Sequence, residues 1–131
     1  MKDLFWEERG IEMRNGEDPQ AGSDDNNIVS VQDNKIYFYS EVSRPKILAL
    51  NKSIIRVGNS IKNRSQVLSA TDVPIELHIC SYGGSVFSGF AAVDYILNSQ
   101  APVHSYIDGC AASAATIMSV VAEERFIHRH S

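Results

Sequence analysis

The sequence predicts an α/β fold, a parallel sheet assembled through right-handed βαβ crossovers. Three observations carry that prediction. Compact β-prone segments at IELHICS (75–81), VHSYI (103–107) and RFI (125–127) alternate with helix-like segments, which is the order a parallel sheet requires. Glycine breaks the pattern where two of these strands meet the following helix, at Gly83-Gly84 and at Gly109. Upstream, Ile47, Leu50, Ile54, Val57 and Ile61 recur at three- and four-residue steps, giving one apolar helical face.

Taken in chain order, residues 1–26 form an acidic leader. They hold eight acids against three bases, a net charge of −5, and RNGEDPQAGSDDNN within them and just beyond has no hydrophobic period. Such a stretch buries too little to offset the entropy of ordering, so a flexible arm is expected. Phe5, Trp6, Ile11 and Met13 could dock on a neighbour. The domain proper is assigned to residues 27–131. IVSV (28–31) and KIYFYS (35–40) read as short strands around a Gln32-Asp33-Asn34 turn. Ser43 is placed to cap the first long helix and Pro45 falls in its first turn, where proline is tolerated. Gly58 marks a point where that helix is expected to weaken. The segment SVFSGFAAVDYILNS predicts a second helix with Val86, Phe90, Val93 and Leu97 as its apolar stripe. A third helix of small and apolar residues is predicted from just after Gly109 to about Ala122, before RFI.

Composition narrows the function classes. The chain has 131 residues, 44% hydrophobic and 21% charged, as expected of one globular domain. No apolar run approaches the ~20 residues a membrane helix needs, and MKDLFWEERG lacks the apolar centre of a secretory signal. A cytoplasmic protein with no membrane partner is the expectation. Cys80 and Cys110 match no metal or redox spacing and are read as reduced thiols. Outside the leader the net charge is +1, which offers no electrostatic footprint for nucleic acid. The basic residues of the first helix (Arg44, Lys46, Lys52, Arg56, Lys62, Arg64) are read as a solvated face.

In a parallel sheet, ligands bind beyond the C-terminal ends of the strands. CSYGGSV (80–86) and DGCAAS (108–113) both fall at that edge. Free backbone N–H groups at such turns can stabilise an oxyanion. Ser113 would stand at the start of its helix among alanines that leave it accessible, as a serine nucleophile must be. Each piece also has a plain reading: a serine at a helix start is usually a cap, and alanines usually permit close packing.

Together, CSYGGSVFSGFAAVDYI, DGCAASAAT and RFIHRHS resemble the proteolytic subunit of Clp protease (ClpP) in order and spacing, over roughly Asn27 to Ser131. KIYFYSEV is similar to that family's early strand. The form DG-x-AASAA looks most like ClpP-like peptidases of bacteriophages, which would place the protein in a host cytoplasm. The resemblance implies a ClpP/crotonase-like fold and a serine endopeptidase working through an acyl-enzyme. Ser113 would be the nucleophile, and the N–H groups of Gly84 and Ala114 the oxyanion hole. Gly83, Gly84, Ser85 and Val86 would hold an extended peptide as an added strand. No metal or organic cofactor is implied. The implied partners are a peptide or unfolded protein substrate, further copies in a ring, and an ATP-dependent unfoldase or a complete ClpP paralogue.

Several positions depart from the family pattern. Tyr82 replaces the usual proline, Cys110 a common glutamine, and Ala114-Ala115 a common Met-Gly. The family's general-base histidine and its aspartate come later than Ser131, so the fold is expected to be incomplete at the C-terminus and the 131-residue chain inactive. His128 and His130 lie too early in register to serve as the base. His78 and His104 are read as structural, and Asp108 as bracing its turn through backbone N–H groups. Two other readings stand beside the peptidase: a catalytically degenerate assembly subunit, and a crotonase-like acyl-CoA enzyme, against which the AAS triplet argues.

Overall fold

The computed structural model describes residues 29–131. The expected leader, its apolar docking residues and the boundary at residue 27 lie outside the described residues. Eight elements follow in order: β1 (Val29–Gln32), β2 (Lys35–Phe38), α1 (Arg44–Leu68), β3 (Ile75–Ser81), α2 (Val86–Leu97), β4 (Val103–Ala111), α3 (Ala114–Val120) and β5 (Glu124–Ile127). The five strands form one sheet in sequence order. β1 and β2 form an antiparallel hairpin through Asp33, whose φ of 55° suits a residue type that tolerates the left-handed region. The remaining pairs, β2 to β5, are parallel, each connected by a helix, as the strand–helix alternation predicts.

Side-chain alternation along the strands separates the two faces of the sheet. Ile36 and Phe38 of β2, Ile75, Leu77 and Ile79 of β3, and Val103 and Ser105 of β4 are buried. Helix α1 packs on this core through Ile47, Leu50, Ile54, Val57 and Ile61, all buried, so its expected face is the observed one. α3 seats Met118 there too, and the Ser105 hydroxyl, fully buried, is satisfied by the Ser119 carbonyl at 3.2 Å and the Ser119 hydroxyl at 3.1 Å. The other face carries an aligned row, Tyr37, His78, Tyr106 and Phe126, one from each of β2 to β5, with successive ring centroids 4.8, 4.9 and 4.7 Å apart.

Three expectations about the helices need correction. Gly58 does not interrupt α1, which runs for 25 residues and is buried there. A Cβ on Gly58 would lie 3.3 Å from the Ser99 hydroxyl, so the glycine admits the chain beyond α2 rather than ending a helix. In α2, Val86, Phe90 and Leu97 are exposed, and the buried residues are Ser88, Gly89, Ala92 and Ile96. Small residues face inward because α2 packs closely on α1 and α3: a Cβ on Gly89 would lie 3.2 Å from the Ala114 carbonyl oxygen. α3 is shorter than expected, because β4 continues past Gly109 to Ala111. Ser43 does occupy the N-cap position of α1, yet its side chain makes no capping hydrogen bond.

Two ion pairs tie elements together. Lys35 Nζ lies 2.7 Å from Glu76 Oε2 across β2 and β3, and Lys62 Nζ lies 3.3 Å from Asp72 Oδ2 beyond α1. The Lys35 hydrogen bond holds the Glu76 carboxyl below its ordinary 4.5. The Ser65 hydroxyl, then Lys62, hold Asp72 below its ordinary 3.8. Folded-state values below the unfolded ones mean stability present above the ordinary carboxylate range and lost as pH falls through the lower, folded values. The thermal midpoint is therefore expected to fall on acidification from about pH 6 to about pH 3, and Glu76→Gln to reduce that fall. A Glu76→Gln midpoint that drops as far as the parent's would remove this pair from the acid response.

Candidate active site

Two turns meet at the C-terminal edge of the sheet. The first follows β3, where the Ser81 hydroxyl accepts the Gly83 N–H at 3.1 Å. Gly83 and Gly84 have φ of 107° and 150°, conformations L side chains rarely adopt. Each is also pressed against a neighbour. A Cβ on Gly83 would stand 2.7 Å from Ser113 Cβ and 2.8 Å from the Ala112 carbonyl oxygen; one on Gly84 would run into the Val42 carbonyl. Val42, buried between β2 and α1, forms a parallel bridge to Gly84: its N–H donates to the Gly83 carbonyl and its carbonyl accepts from the Ser85 N–H, each at 2.8 Å. The glycine turn is thus held between Val42 on one side and the Ser113 turn on the other. Val42 was not singled out by the sequence, since a lone bridging residue has no periodicity.

The second turn begins with an irregular strand. Ile79 pairs with Ile107 and Ser81 with Ala111, so Asp108–Cys110 of β4 stand opposite Cys80 alone. Gly109, at φ 92°, sits in this bulge rather than in a strand-to-helix turn. The Ala112 N–H then donates to the Ser81 carbonyl at 2.9 Å, and the Cys110 thiol, turned toward β3, donates to the same carbonyl at 3.2 Å.

Ser113 is the apex. Its φ of 54° and ψ of −126° are far from any ordinary serine conformation, a strain of roughly 1–3 kcal/mol. It is exposed, and although it occupies the N-cap position of α3 its hydroxyl makes no capping hydrogen bond. The capping reading therefore fails for its side chain. A serine held on a sharp, strained strand-to-helix turn with its Oγ free is the geometry of a nucleophile elbow. The packing reading holds for its neighbours, since Ala114 and Ala115 are buried against the core.

The two turns carry free backbone donors. Among the described residues, the N–H groups of Gly84, Val86 and Ala114 meet no acceptor, whereas that of Gly83 goes to the Ser81 hydroxyl and that of Ser85 to the Val42 carbonyl. Ala114 N lies 3.1 Å from the position a Gly83 Cβ would take, so the donors of the two turns lie on adjoining stretches of backbone. Ser85 caps α2, accepting the Ser88 N–H at 3.2 Å. Tyr82, Phe87 and Val86 form an exposed apolar rim beside the turns.

The histidines lie elsewhere. Among the described residues, none is hydrogen-bonded to Ser113. His78 Nδ1 is 2.9 Å from Asp108 Oδ2, with its ring stacked between Tyr37 and Tyr106. His104 Nε2 is 3.7 Å from Glu123 and His128 Nε2 is 3.0 Å from Asp108 Oδ1. Contrary to the expectation from its place before Gly109, Asp108 does not brace its turn through backbone N–H groups. It takes side chains instead, the Tyr39 hydroxyl at 2.7 Å and His78, while the Gly109 N–H goes to the Ser131 hydroxyl. The hydrogen bond to Asp108 pushes the Tyr39 hydroxyl up to about 12. Among the described residues, no three His, Cys, Asp or Glu side chains converge to hold a metal ion.

The Clp protease family profile matches residues 31–131. The chain belongs to the Clp protease family. Its fold is that of solved ClpP structures. ClpP1 from Listeria monocytogenes superposes with a TM-score of 0.58 at 22% identity, over 69% of this chain and 47% of that one. The ClpP protease catalytic domain from Plasmodium falciparum gives 0.56 at 20% identity, over 66% and 44%. The chain thus spans about half the length of these ClpP structures. A search of curated proteins found no significant match. Among the described residues of this Clp family chain, no helix is long and apolar enough to cross a membrane.

Proposed function

We propose that the chain carries the nucleophile and oxyanion half of a ClpP-type serine endopeptidase, with Ser113 as nucleophile. The observation that carries this is the backbone of Ser113, an exposed serine held at φ 54°, ψ −126° against Gly83. In the reaction, Ser113 Oγ attacks the peptide carbonyl and the N–H groups of Gly84 and Ala114 receive the oxyanion. The Ser113 hydroxyl proton passes to the peptide amine as the C–N bond breaks, and water then hydrolyses the acyl ester, returning a proton to Oγ. The free N–H groups of Gly84 and Val86 favour an extended peptide lying along Gly83–Val86 as an added strand.

Activation of Ser113 requires a base within hydrogen-bond reach. None of the described histidines fills that place, so the 131-residue chain alone should hydrolyse peptides orders of magnitude more slowly than a chain or assembly that supplies one. The family relationship favours a ring of copies in the cytoplasm, fed by an ATP-dependent unfoldase or completed by a ClpP paralogue. The peptidase reading is tested by incubating the full-length protein with a fluorogenic peptide ester. A burst of about one leaving group per site, followed by slower turnover, is the result expected of an acyl-enzyme. Absence of both burst and turnover, together with tight binding of an acyl-CoA, would transfer the site to a crotonase-like enzyme.

A further inference from the structure

We propose that Asp108 is a positioning residue for the Ser113 turn, acting through a side-chain brace that links β4 to β3 and to the segments just beyond β2 and β5. The proposal rests on the reading of Ser113 as nucleophile. Asp108 lies in the β4 bulge, five residues before Ser113. Its carboxylate accepts from Tyr39 Oη at 2.7 Å and from His78 Nδ1 at 2.9 Å, and His128 Nε2 stands at ion-pair distance, 3.0 Å from Oδ1. Tyr39 follows β2, His78 belongs to β3, and His128 follows β5.

Two of these strands lead to the turns of the site, and the segment after β2 leads to the residue that holds one of them. Three residues beyond Tyr39 is Val42, which brackets the Gly83-Gly84 turn; five beyond His78 is Gly83 itself. The Asp108 and His78 side chains are 14% and 13% exposed, so their charge-assisted hydrogen bond is shielded from water and strong, whereas Tyr39 and His128 reach Asp108 from the exposed side. Ordinary strand pairing cannot supply this constraint, because the ladder is interrupted at the bulge. His78 is confined further by Tyr37 and Tyr106 on its two faces and by Glu76, whose Oε2 is 3.6 Å from Nε2. Displacement of β2, β3 or the segment after β5 would thus be felt through Asp108 at the base of the Ser113 turn.

The test is peptide hydrolysis by full-length Asp108→Asn and Tyr39→Phe, with the folded fraction counted by thermal melting. Tyr39 is half exposed and loses only a hydroxyl, so its variant reports even if Asp108→Asn folds poorly. The brace predicts that kcat falls at least about tenfold in Asp108→Asn and several-fold in Tyr39→Phe, with KM within about twofold. The double variant should fall no further than Asp108→Asn alone, because both remove one network. Unchanged kcat in folded Tyr39→Phe, or independent losses that multiply in the double variant, would overturn the proposal. Retained hydrolysis by Ser113→Ala would instead defeat the nucleophile assignment on which it rests.

Discussion

Ser113→Ala is expected to lower peptide hydrolysis by the full-length protein by roughly four to six orders of magnitude, leaving KM little changed. The size follows from chemistry. Removing Oγ removes covalent catalysis altogether, while the donors of Gly84 and Ala114 stay in place to bind substrate and give a small residual rate. The substitution should not destabilise the fold. Ser113 Oγ caps nothing and its side chain is exposed, so a melting curve close to the parent's is expected. A relief of strain is not expected either, because alanine meets the same penalty at φ 54°. Loss of activity with loss of folding would mean that the turn is structural.

Gly84→Ala is expected to be damaging to a lesser degree and by a different route. Any side chain there meets the Val42 carbonyl, 3.0 Å from its carbon and closer to its oxygen, at a φ of 150° that already excludes most residues. Val42 cannot yield easily, because it is buried and both its backbone groups are bonded across the turn. The turn must open, displacing the Gly84 N–H from the place the proposed oxyanion hole requires. Loss of one oxyanion donor costs roughly 10²–10³ in kcat, and this loss is expected with the serine intact. Measured kcat within tenfold of the parent, in a variant that melts normally, would show that Gly84 is not a donor.

Much of this arrangement is legible in the residues themselves. Strand–helix alternation gives the parallel sheet, and IELHICS is β3 residue for residue. The spacing of Ile47 to Ile61 gives the buried face of α1. The site was legible as two glycine-containing stretches at one sheet edge, because their role depends on local backbone freedom. What could not be read depends on contacts between distant segments. The inward face of α2 follows Gly89, Ala92 and Ile96, not Phe90 and Leu97, because at Gly89 the approach of α3 leaves no room for a side chain. Whether Gly58 breaks a helix or admits a neighbour depends on Ser99, forty-one residues away. The bulge that carries Gly109 past an expected turn is a property of the β3–β4 register, invisible in β4 alone. Asp108 finds Tyr39, His78 and His128 for the same reason: bulge and sheet order bring together residues spread across ninety positions.

The role proposed for the strained, exposed Ser113 is that of the reacting group. It is tested most directly by treating the full-length protein with a fluorophosphonate and locating the adduct by peptide mass spectrometry. A single adduct is expected on Ser113, formed faster than on any other serine and reduced in Gly84→Ala. An adduct on another residue, or no labelling of Ser113 in an assembly that hydrolyses peptides, would contradict it.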